Sequence, residues 1–260
     1  MTTYKKTSAA DFFARLFVLA TISLSSAVVE ADVLKTEAAE QLEGLTYAAT
    51  VTSGADEASE LPLVIALHYM TGSPATSLED YGGIDVPVRL LSLQGLHELD
   101  GGYSWFPDGY YELDAASQLE VTVRVSDRIA RFIRAAVQAY PTRGKPILTG
   151  YSQGADLTHM IALRESGLVF AGIPMGGRFP DAWVDSAPAG AELPAKMVLY
   201  HGAVDTTVDV GESIAAATYY TAKGVSVVLR TYAGVGHAYP LQMKLDYQEV
   251  IARLVESIDD

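Results

Sequence analysis

The chain alternates short apolar runs with segments whose apolar residues recur at helical spacing. Residues 46–53 alternate apolar and polar positions, which is typical of an edge or hairpin strand. Residues 61–70 are nearly continuous in Val, Ile, Leu and Ala, as in a strand covered on both faces, and residues 86–95 form a second such run. Further strands are predicted over residues 145–152, 169–177, 196–205 and 225–234.

Helices are predicted between these strands. The segment 126–140 begins with Ser126 as a possible N-cap, carries Ile129, Phe132 and Ile133 on one face, and ends before Pro141. Further helices are predicted over residues 153–165, 212–223 and 241–258. Strands that alternate with helices of this length indicate an α/β fold with a mainly parallel central sheet and helices on both faces.

The first 31 residues differ from the rest of the chain. Lys5, Lys6 and Arg15 precede an apolar stretch over residues 16–29, and Ala31 provides a small residue at a possible cleavage site. At about 14 residues the stretch is too short to span a bilayer, so no stable membrane insertion is expected. These features predict a signal peptide over 1–31, a catalytic domain over 32–260, and a secreted or periplasmic protein.

Composition excludes several classes of function. The chain has 260 residues, of which 49% are hydrophobic, and its 32 acidic against 18 basic residues give a net charge of −14. Such a charge disfavours nucleic acid and anionic membrane surfaces as partners. The chain has no cysteine, which excludes disulfides and a cysteine nucleophile. Its sequence lacks the usual nucleotide-binding and zinc-binding motifs, so neither a cofactor nor a metal is expected.

A serine lies between two glycines in "GYSQG", residues 150–154, where a predicted strand passes into a predicted helix. If Ser152 is a nucleophile, it needs a general base within hydrogen-bond reach. His237 follows the last predicted strand in a glycine-containing loop and is the candidate for that base. The other four histidines lie in strand ends, a helix or a loop without matching context: His68, His201, His159 and His97.

The base in turn needs an acid that fixes its tautomer. Asp205 follows the end of a predicted strand and lies between Ser152 and His237, the chain order that accompanies a serine on a strand-to-helix turn. Alternatively, Asp205 caps a turn. Other carboxylates in the same interval lie in loops or at a helix start: Asp181, Asp185, Glu192 and Glu212.

A negatively charged tetrahedral intermediate would need two backbone N–H donors. Gln153 directly follows the serine and begins a predicted helix, so its N–H is one candidate. The other is expected from the loop after strand 61–70, where Met70 is the first choice and Tyr69 the alternative.

Five blocks in order over residues 61–240, namely "LHYMTG", "GGYSWFPDG", "GYSQGA", "YHGAVDTTV" and "GVGH", resemble the phospholipase/carboxylesterase branch of the α/β-hydrolases. The resemblance implies an α/β-hydrolase fold, with Ser152 as nucleophile, Asp205 as acid and His237 as base. Two residues depart from the family pattern, because Tyr69 and Ala155 stand where glycines are usual.

Two further features bear on the substrate. The loop 101–111 is rich in aromatic residues, and Trp105 in this loop is expected to contact the substrate. Tyr69, in the loop after strand 61–70, is expected to contact it as well. The alternative is that the rings of the loop 101–111 pack it against the domain. Residues 178–195 contain three prolines and are too few for a helical cap, so no large cap domain is expected.

These features predict a serine hydrolase that acts through an acyl-enzyme. Its expected substrates are small-molecule esters with short to medium acyl groups. The same triad would also serve a thioesterase, a feruloyl esterase or a polyester depolymerase. A catalytically idle α/β-hydrolase that acts as a binding module is a further alternative. The oligomeric state is not predicted from the sequence.

Overall fold

Residues 39–258 are described in a computed structural model of the chain, and the predicted signal peptide over 1–31 lies outside them. Because the structure does not describe this segment, export stays a prediction. All of the described residues fall within one compact unit. The described strands are β1 Glu40–Leu42, β2 Leu45–Val51, β3 Leu63–Leu67, β4 Arg89–Leu93, β5 His97–Leu99, β6 Gly102–Ser104, β7 Ile147–Tyr151, β8 Ala171–Met175, β9 Lys196–Gly202 and β10 Ser226–Tyr232.

The described part of the chain contains six α-helices, of which five lie between strands and the last follows β10. They are α1 Pro74–Tyr81, α2 Ala115–Ala139, α3 Gln153–Arg164, α4 Asp181–Asp185, α5 Val210–Ala222 and α6 Leu241–Glu256. A 3₁₀ turn at Tyr110–Glu112 precedes α2.

The strands form an eight-stranded sheet in the order β1-β2-β4-β3-β7-β8-β9-β10, and β5 pairs with β6 in a separate hairpin. Strands β1 and β2 are antiparallel to their neighbours, whereas β4, β3, β7, β8, β9 and β10 run parallel. The predicted α/β-hydrolase fold with a mainly parallel central sheet is confirmed. Because the six parallel strands share a direction, the loops after β3, β7, β9 and β10 meet at one edge.

The core has a layer on each face of this sheet. Along β3, Leu63, Ile65 and Leu67 pack into the layer formed with α2 and α3, while Val64 and Ala66 pack into the layer formed with α1 and α6. All five side chains are almost completely buried. Burial on both faces accounts for the nearly continuous apolar run that predicted this strand.

The predicted start at Ser126 of the helix over residues 126–140 is wrong. Helix α2 begins at Ala115, where the Asp114 carboxylate accepts the Ser117 N–H at 2.9 Å. Ser126 lies fully buried in the middle of the helix, and its hydroxyl donates to the Val123 carbonyl. The N-terminal half of α2 is rich in β-branched residues, which weaken a helical pattern in sequence but are stabilised here by burial.

The β5–β6 hairpin, which the sequence analysis did not predict, lies against the loop after β3. The Thr71 N–H donates to the Tyr103 carbonyl at 2.8 Å, and the Tyr103 N–H donates to the Gly72 carbonyl at 2.8 Å. This pairing joins the aromatic loop 101–111 to the loop that carries Met70. Residues 178–195 contain only the five-residue helix α4, in agreement with the prediction that there is no large cap.

Candidate active site

Ser152 lies on a strained turn between β7 and α3. Its φ of 54° and ψ of −115° are in a region that residues other than glycine rarely adopt. Its N–H donates to the Met175 carbonyl of β8 at 2.9 Å, which helps to hold the turn in place. A conformation of this kind costs about 1–3 kcal/mol and persists only where the surrounding structure imposes it.

The two glycines of "GYSQG" are required by close contacts between backbone segments. A Cβ atom at Gly154 would lie 2.1 Å from the carbonyl oxygen of Leu67 in β3, and one at Gly150 would lie 2.4 Å from the backbone of Gly154. Real Cβ atoms essentially never approach other atoms so closely. The spacing of the motif therefore lets α3 start directly against the end of β3.

His237 lies in the loop after β10 with its imidazole between Ser152 and Asp205. Its Nε2 is 2.9 Å from Ser152 Oγ, and its Nδ1 is 2.7 Å from Asp205 Oδ2. A carboxylate can only accept, so Nδ1 carries the hydrogen and Nε2 can accept the serine proton. The Tyr151 ring packs against the imidazole with 5.2 Å between ring centres.

Asp205 lies in the loop after β9, and its side chain is 2% exposed. Its Oδ1 accepts the N–H groups of Thr207 and Val208 at 2.8 and 3.0 Å, which leaves Oδ2 directed at His237. The structure therefore brings Ser152, His237 and Asp205 together from three separate loops. Asp181 and Asp185, the alternatives from sequence, lie instead in the short helix α4.

His201 borders this group without reaching the serine. Its Nε2–H donates to the Val208 carbonyl at 2.9 Å, and its Nδ1 accepts from the Ser213 hydroxyl at 2.7 Å. Its Nε2 also lies 3.4 Å from Asp205 Oδ2. This buried histidine supports the loop that holds the carboxylate.

His68 is also a supporting residue. Its Nε2 accepts the Gly95 N–H at 2.8 Å, so its Nδ1 carries the hydrogen and donates to the Tyr69 carbonyl at 2.6 Å. Burial lowers the pKa of His68 to about 4, which keeps the ring neutral around pH 7. The two remaining histidines lie elsewhere and are not candidates for the general base. His159 is fully buried in α3, and His97 is exposed in β5.

The two expected N–H donors lie on neighbouring segments. Gln153 is the first residue of α3, and Met70 lies in the loop after β3, three residues beyond the strand end. A Cβ atom at Gly154 would lie 3.0 Å from the His68 carbonyl, which shows how closely this loop approaches the start of α3. The positive end of the α3 dipole is therefore next to the segment that carries Met70.

The side chain of Gln153 has a role that sequence reasoning missed. It is 1% exposed; its Oε1 accepts the Trp105 N–H at 3.0 Å, and its Nε2 donates to Ser104 Oγ and to the Tyr111 hydroxyl, each at 3.2 Å. The residue after the serine thus holds the aromatic loop in place. From the sequence, the only indication of this role was the general rule that a side-chain amide buried in a protein forms hydrogen bonds.

Trp105 and Tyr69 differ in exposure. Trp105 is completely buried, stacks on the His68 ring at 5.1 Å, and donates its indole N–H to the His68 carbonyl at 2.9 Å. Trp105 therefore has no surface open to a ligand in this structure and packs the loop against the domain. Tyr69 is partly exposed and contacts the rings of Tyr151 and Tyr239.

The described residues contain no cluster of three or more side chains suited to a metal ion. Within the same part of the chain, no helix is both long and apolar enough to cross a bilayer.

The fold and the serine on its strained turn define the class of this protein as an α/β-hydrolase. Residues 93–254, more than half of the chain, match the sequence profile of the phospholipase/carboxylesterase family, and the chain belongs to that family. The resemblance stated from the five sequence blocks is confirmed.

Several known proteins are similar to this chain. Acetylxylan esterase A of Aspergillus oryzae and a probable acetylxylan esterase A of Aspergillus flavus are each 28% identical to it, with 58% of this chain and 58% of each relative covered. The chain thus matches little more than half the length of these relatives.

Among solved structures, esterase PE8 matches with a TM-score of 0.68 at 20% identity, covering 81% of this chain and 99% of that protein. A Bacillus cereus carboxylesterase matches with a TM-score of 0.65 at 15% identity, covering 80% and 94%. Acyl-protein thioesterase 2 of Zea mays matches with a TM-score of 0.60 at 15% identity, covering 80% and 98%. At these identities the structures support the fold.

Proposed function

We propose that this chain hydrolyses carboxylic esters through an acyl-enzyme formed on Ser152. The observation that carries the proposal is the continuous chain of hydrogen bonds from Ser152 Oγ through His237 to Asp205. Membership in the phospholipase/carboxylesterase family supports the same reaction class. No cofactor is invoked.

The first half of the proposed reaction forms the acyl-enzyme. Ser152 Oγ attacks the ester carbonyl while His237 Nε2 takes the hydroxyl proton, and Asp205 stabilises the resulting imidazolium. When the tetrahedral intermediate collapses, the bond between the carbonyl carbon and the alcohol oxygen breaks, and His237 gives its proton to that oxygen. The acyl group is then bound to Ser152 as an ester.

The second half returns the free enzyme. His237 takes a proton from water, the resulting hydroxide oxygen attacks the acyl carbon, and Ser152 Oγ leaves with the proton from His237. In both halves the backbone N–H groups of Gln153 and Met70 are proposed to donate to the carbonyl oxygen as it becomes negative. Each such donor is worth about 3–4 kcal/mol in the barrier.

Short to medium acyl groups are the proposed substrates. The short segment 178–195 with its single five-residue helix supports a site without a cap domain. The acetylxylan esterase relatives are named for an acetyl ester, which supports the short end of this range. Thioesters could follow the same steps, and paired oxyester and thioester substrates would separate the two activities.

Substitution of the nucleophile tests the proposal. Ser152→Ala removes the oxygen that forms the acyl-enzyme, so the turnover of p-nitrophenyl acetate should fall by about 10⁶-fold. The lost hydroxyl leaves no large cavity, so the urea midpoint should stay close to that of the parent. Turnover within tenfold of the parent would exclude Ser152 as the nucleophile.

A further inference from the structure

A hydrogen bond between Tyr239 and Asp80 joins the loop of His237 to helix α1. Tyr239 lies two residues after His237, and its hydroxyl donates to Asp80 Oδ2. Asp80 is in the last turn of α1, the helix that follows the loop with Met70. The bond therefore connects the loop of the proposed general base to the helix next to the proposed oxyanion donor.

The Asp80 side of this bond is fixed by α6. The Asp80 carbonyl accepts the Tyr247 hydroxyl and the side-chain amide of Gln248, each at 2.8 Å. Lys244 Nζ donates to the carboxylate oxygen Oδ1. Because Oδ1 faces the Lys244 ammonium, Oδ2 is the oxygen that accepts from Tyr239.

The Tyr239 side chain is held at its hydroxyl and on its ring. Burial raises the pKa of Tyr239, and the hydrogen bond to Asp80 raises it further, so the hydroxyl keeps its proton and donates. Lys244 Nζ lies 4.7 Å from the centre of the Tyr239 ring, a cation–π contact. These contacts fix Tyr239 in one orientation.

Tyr239 also reaches the imidazole of His237 through the side chain of Tyr151. The centre of the Tyr151 ring is 4.4 Å from that of Tyr239 and 5.2 Å from that of the imidazole. Tyr69 packs against the same two tyrosines, with ring centres at 5.8 Å from Tyr239 and 5.9 Å from Tyr151. Since packed side chains transmit displacements, a shift of Tyr239 would move the imidazole both along the chain and through Tyr151.

The part of the loop before His237 is attached to the segment of Asp205. The Val204 N–H, directly before Asp205, donates to the Val235 carbonyl at 3.0 Å. This hydrogen bond holds the base and the acid of the candidate triad at a fixed separation.

The part of the loop after His237 is held by Tyr239. Residues 238–242 are exposed or half-buried, and Met243 is the first residue beyond His237 that is buried in the core. Within this segment, the Tyr239 hydroxyl makes the hydrogen bond to α1. The loop is thus held before His237 by the segment of the acid and after it by Tyr239.

We propose that Tyr239 is a positioning residue for His237 and that Asp80 is the acceptor that fixes it. The bond between them keeps the imidazole Nε2 at 2.9 Å from Ser152 Oγ, the distance at which the serine proton can be transferred. Because Asp80 belongs to α1, the same bond holds the general base at a fixed separation from the loop with Met70. This inference rests on the proposed function, in which His237 is the general base.

Tyr239→Phe removes the hydroxyl and keeps the ring, so it isolates the hydrogen bond to Asp80. A misplacement of about 1 Å costs about 100-fold in rate, so the smaller shift expected here should lower kcat for p-nitrophenyl acetate about tenfold. Both halves of the proposed reaction use His237, so both slow together and KM should stay within about twofold of the parent.

Tyr232→Phe is the matched control. The Tyr232 hydroxyl also donates to a carboxylate, that of Asp246, but this bond joins the end of β10 to α6 before the loop of His237 begins. Each variant loses one hydrogen bond to a charged group, so the urea midpoints should fall by similar amounts. Tyr232→Phe should nevertheless keep the kcat of the parent.

Asp80→Ala removes the acceptor of the same bond. It should lower kcat by a factor similar to that of Tyr239→Phe. The double variant should be no slower than the slower of the two single variants, because both changes break one interaction.

An NMR measurement tests the positioning without the reaction. In protein labelled with ¹³C-histidine, the imidazole Cε1–H of His237 gives a signal that His237→Gln identifies. The Tyr151 ring current makes this signal sensitive to the position of the imidazole. The signal should shift in Tyr239→Phe and stay in place in Tyr232→Phe. It reports on the imidazole even if Ser152→Ala keeps its turnover and the proposed function fails.

Several results would overturn the inference while Ser152→Ala is inactive and the proposed function stands. Tyr239→Phe could keep both the kcat and the NMR signal of the parent, or Tyr232→Phe could lose as much kcat. A rise in KM with kcat unchanged would place Tyr239 in substrate binding. Effects of Tyr239→Phe and Asp80→Ala that multiply in the double variant would show that the two residues act independently.

Discussion

At the scale of single residues, Asp205 combines two roles in one buried carboxylate. Its Oδ1 is held by two backbone N–H groups of its own loop, and its Oδ2 faces His237 Nδ1. The first set of hydrogen bonds fixes the orientation of the carboxylate, and the remaining one selects the imidazole tautomer that leaves Nε2 free to accept a proton.

Asp205→Asn should keep the fold and lower turnover on the order of 10⁴-fold. The backbone N–H groups of Thr207 and Val208 need an acceptor, so the amide oxygen takes the place of Oδ1 and the amide NH₂ faces His237. The imidazole then carries its hydrogen on Nε2 and cannot take the serine proton. Turnover of p-nitrophenyl acetate is the measurement.

Asp185→Asn is the matched control, because Asp185 is an exposed residue of α4 and a sequence alternative for the same role. It should retain the turnover of the parent. If Asp185→Asn were inactive and Asp205→Asn active, the acid would be wrongly assigned.

At the scale of elements, the end of β3, the β7–α3 turn and the β5–β6 hairpin are packed into one unit. Gly154 brings α3 against the Leu67 carbonyl, and Gln153 joins α3 to the segment 104–111. The loop with Met70 lies between these elements, so its position depends on both contacts.

Gly154→Ala should disrupt this unit. The added methyl group would lie 2.1 Å from the Leu67 oxygen, so β3 and α3 must move apart. Overpacking of this kind costs about 1–3 kcal/mol, and the loop with Met70 should shift with β3. We expect a lower urea midpoint together with a loss of esterase turnover.

Gly190→Ala provides the comparison. Gly190, unlike Gly154, has a positive φ, of 75°, but nothing lies within 4 Å of the added methyl group. Its cost should be limited to backbone strain of about 1 kcal/mol, with turnover unchanged. Parent-like stability and turnover in Gly154→Ala would contradict the close packing described here.

The sequence predicted the elements that have strong patterns. The central strands were identified because burial on both faces demands continuous apolar runs, and α3 because it follows directly from "GYSQG". The first half of α2 was missed because its β-branched residues are stabilised by tertiary packing. The β5–β6 hairpin has three-residue strands, too short for a recognisable alternation.

In the candidate site, too, the sequence predicted the residues that follow from a strong pattern and missed those whose position depends on tertiary packing. The spacing and order of the strand ends were enough to select Ser152, Asp205 and His237, because parallel strands bring their ends together. The burial of Trp105 and the exposure of Tyr111 could not be predicted, since both belong to one aromatic-rich loop and the direction of each side chain depends on the hairpin. The partners of the Gln153 amide depend on the same hairpin.

At the scale of the whole molecule, helices cover both faces of the sheet, and the candidate site lies at the edge where the parallel strands end. The segment after β8, where a cap could be inserted, contains only α4 within residues 178–195. We therefore expect an open site that needs no lipid interface to expose it.

A series of p-nitrophenyl esters from acetate to palmitate tests this expectation. Rates should be highest for short to medium chains and should rise smoothly with substrate concentration, because no cap has to move. Each ester is assayed below and above its aggregation threshold. A jump in rate on aggregation, or a maximum at palmitate, would indicate a lid or a long acyl tunnel.

The proposed reaction depends on Ser152 as an activated nucleophile. A fluorophosphonate reacts covalently with such a serine, and mass spectrometry of the digested protein locates the adduct. We predict stoichiometric labelling of the parent on the peptide that contains Ser152, much slower labelling of Asp205→Asn, and none of Ser152→Ala. A folded parent that is not labelled, or that is labelled at another residue while Ser152 stays unmodified, would contradict the claim.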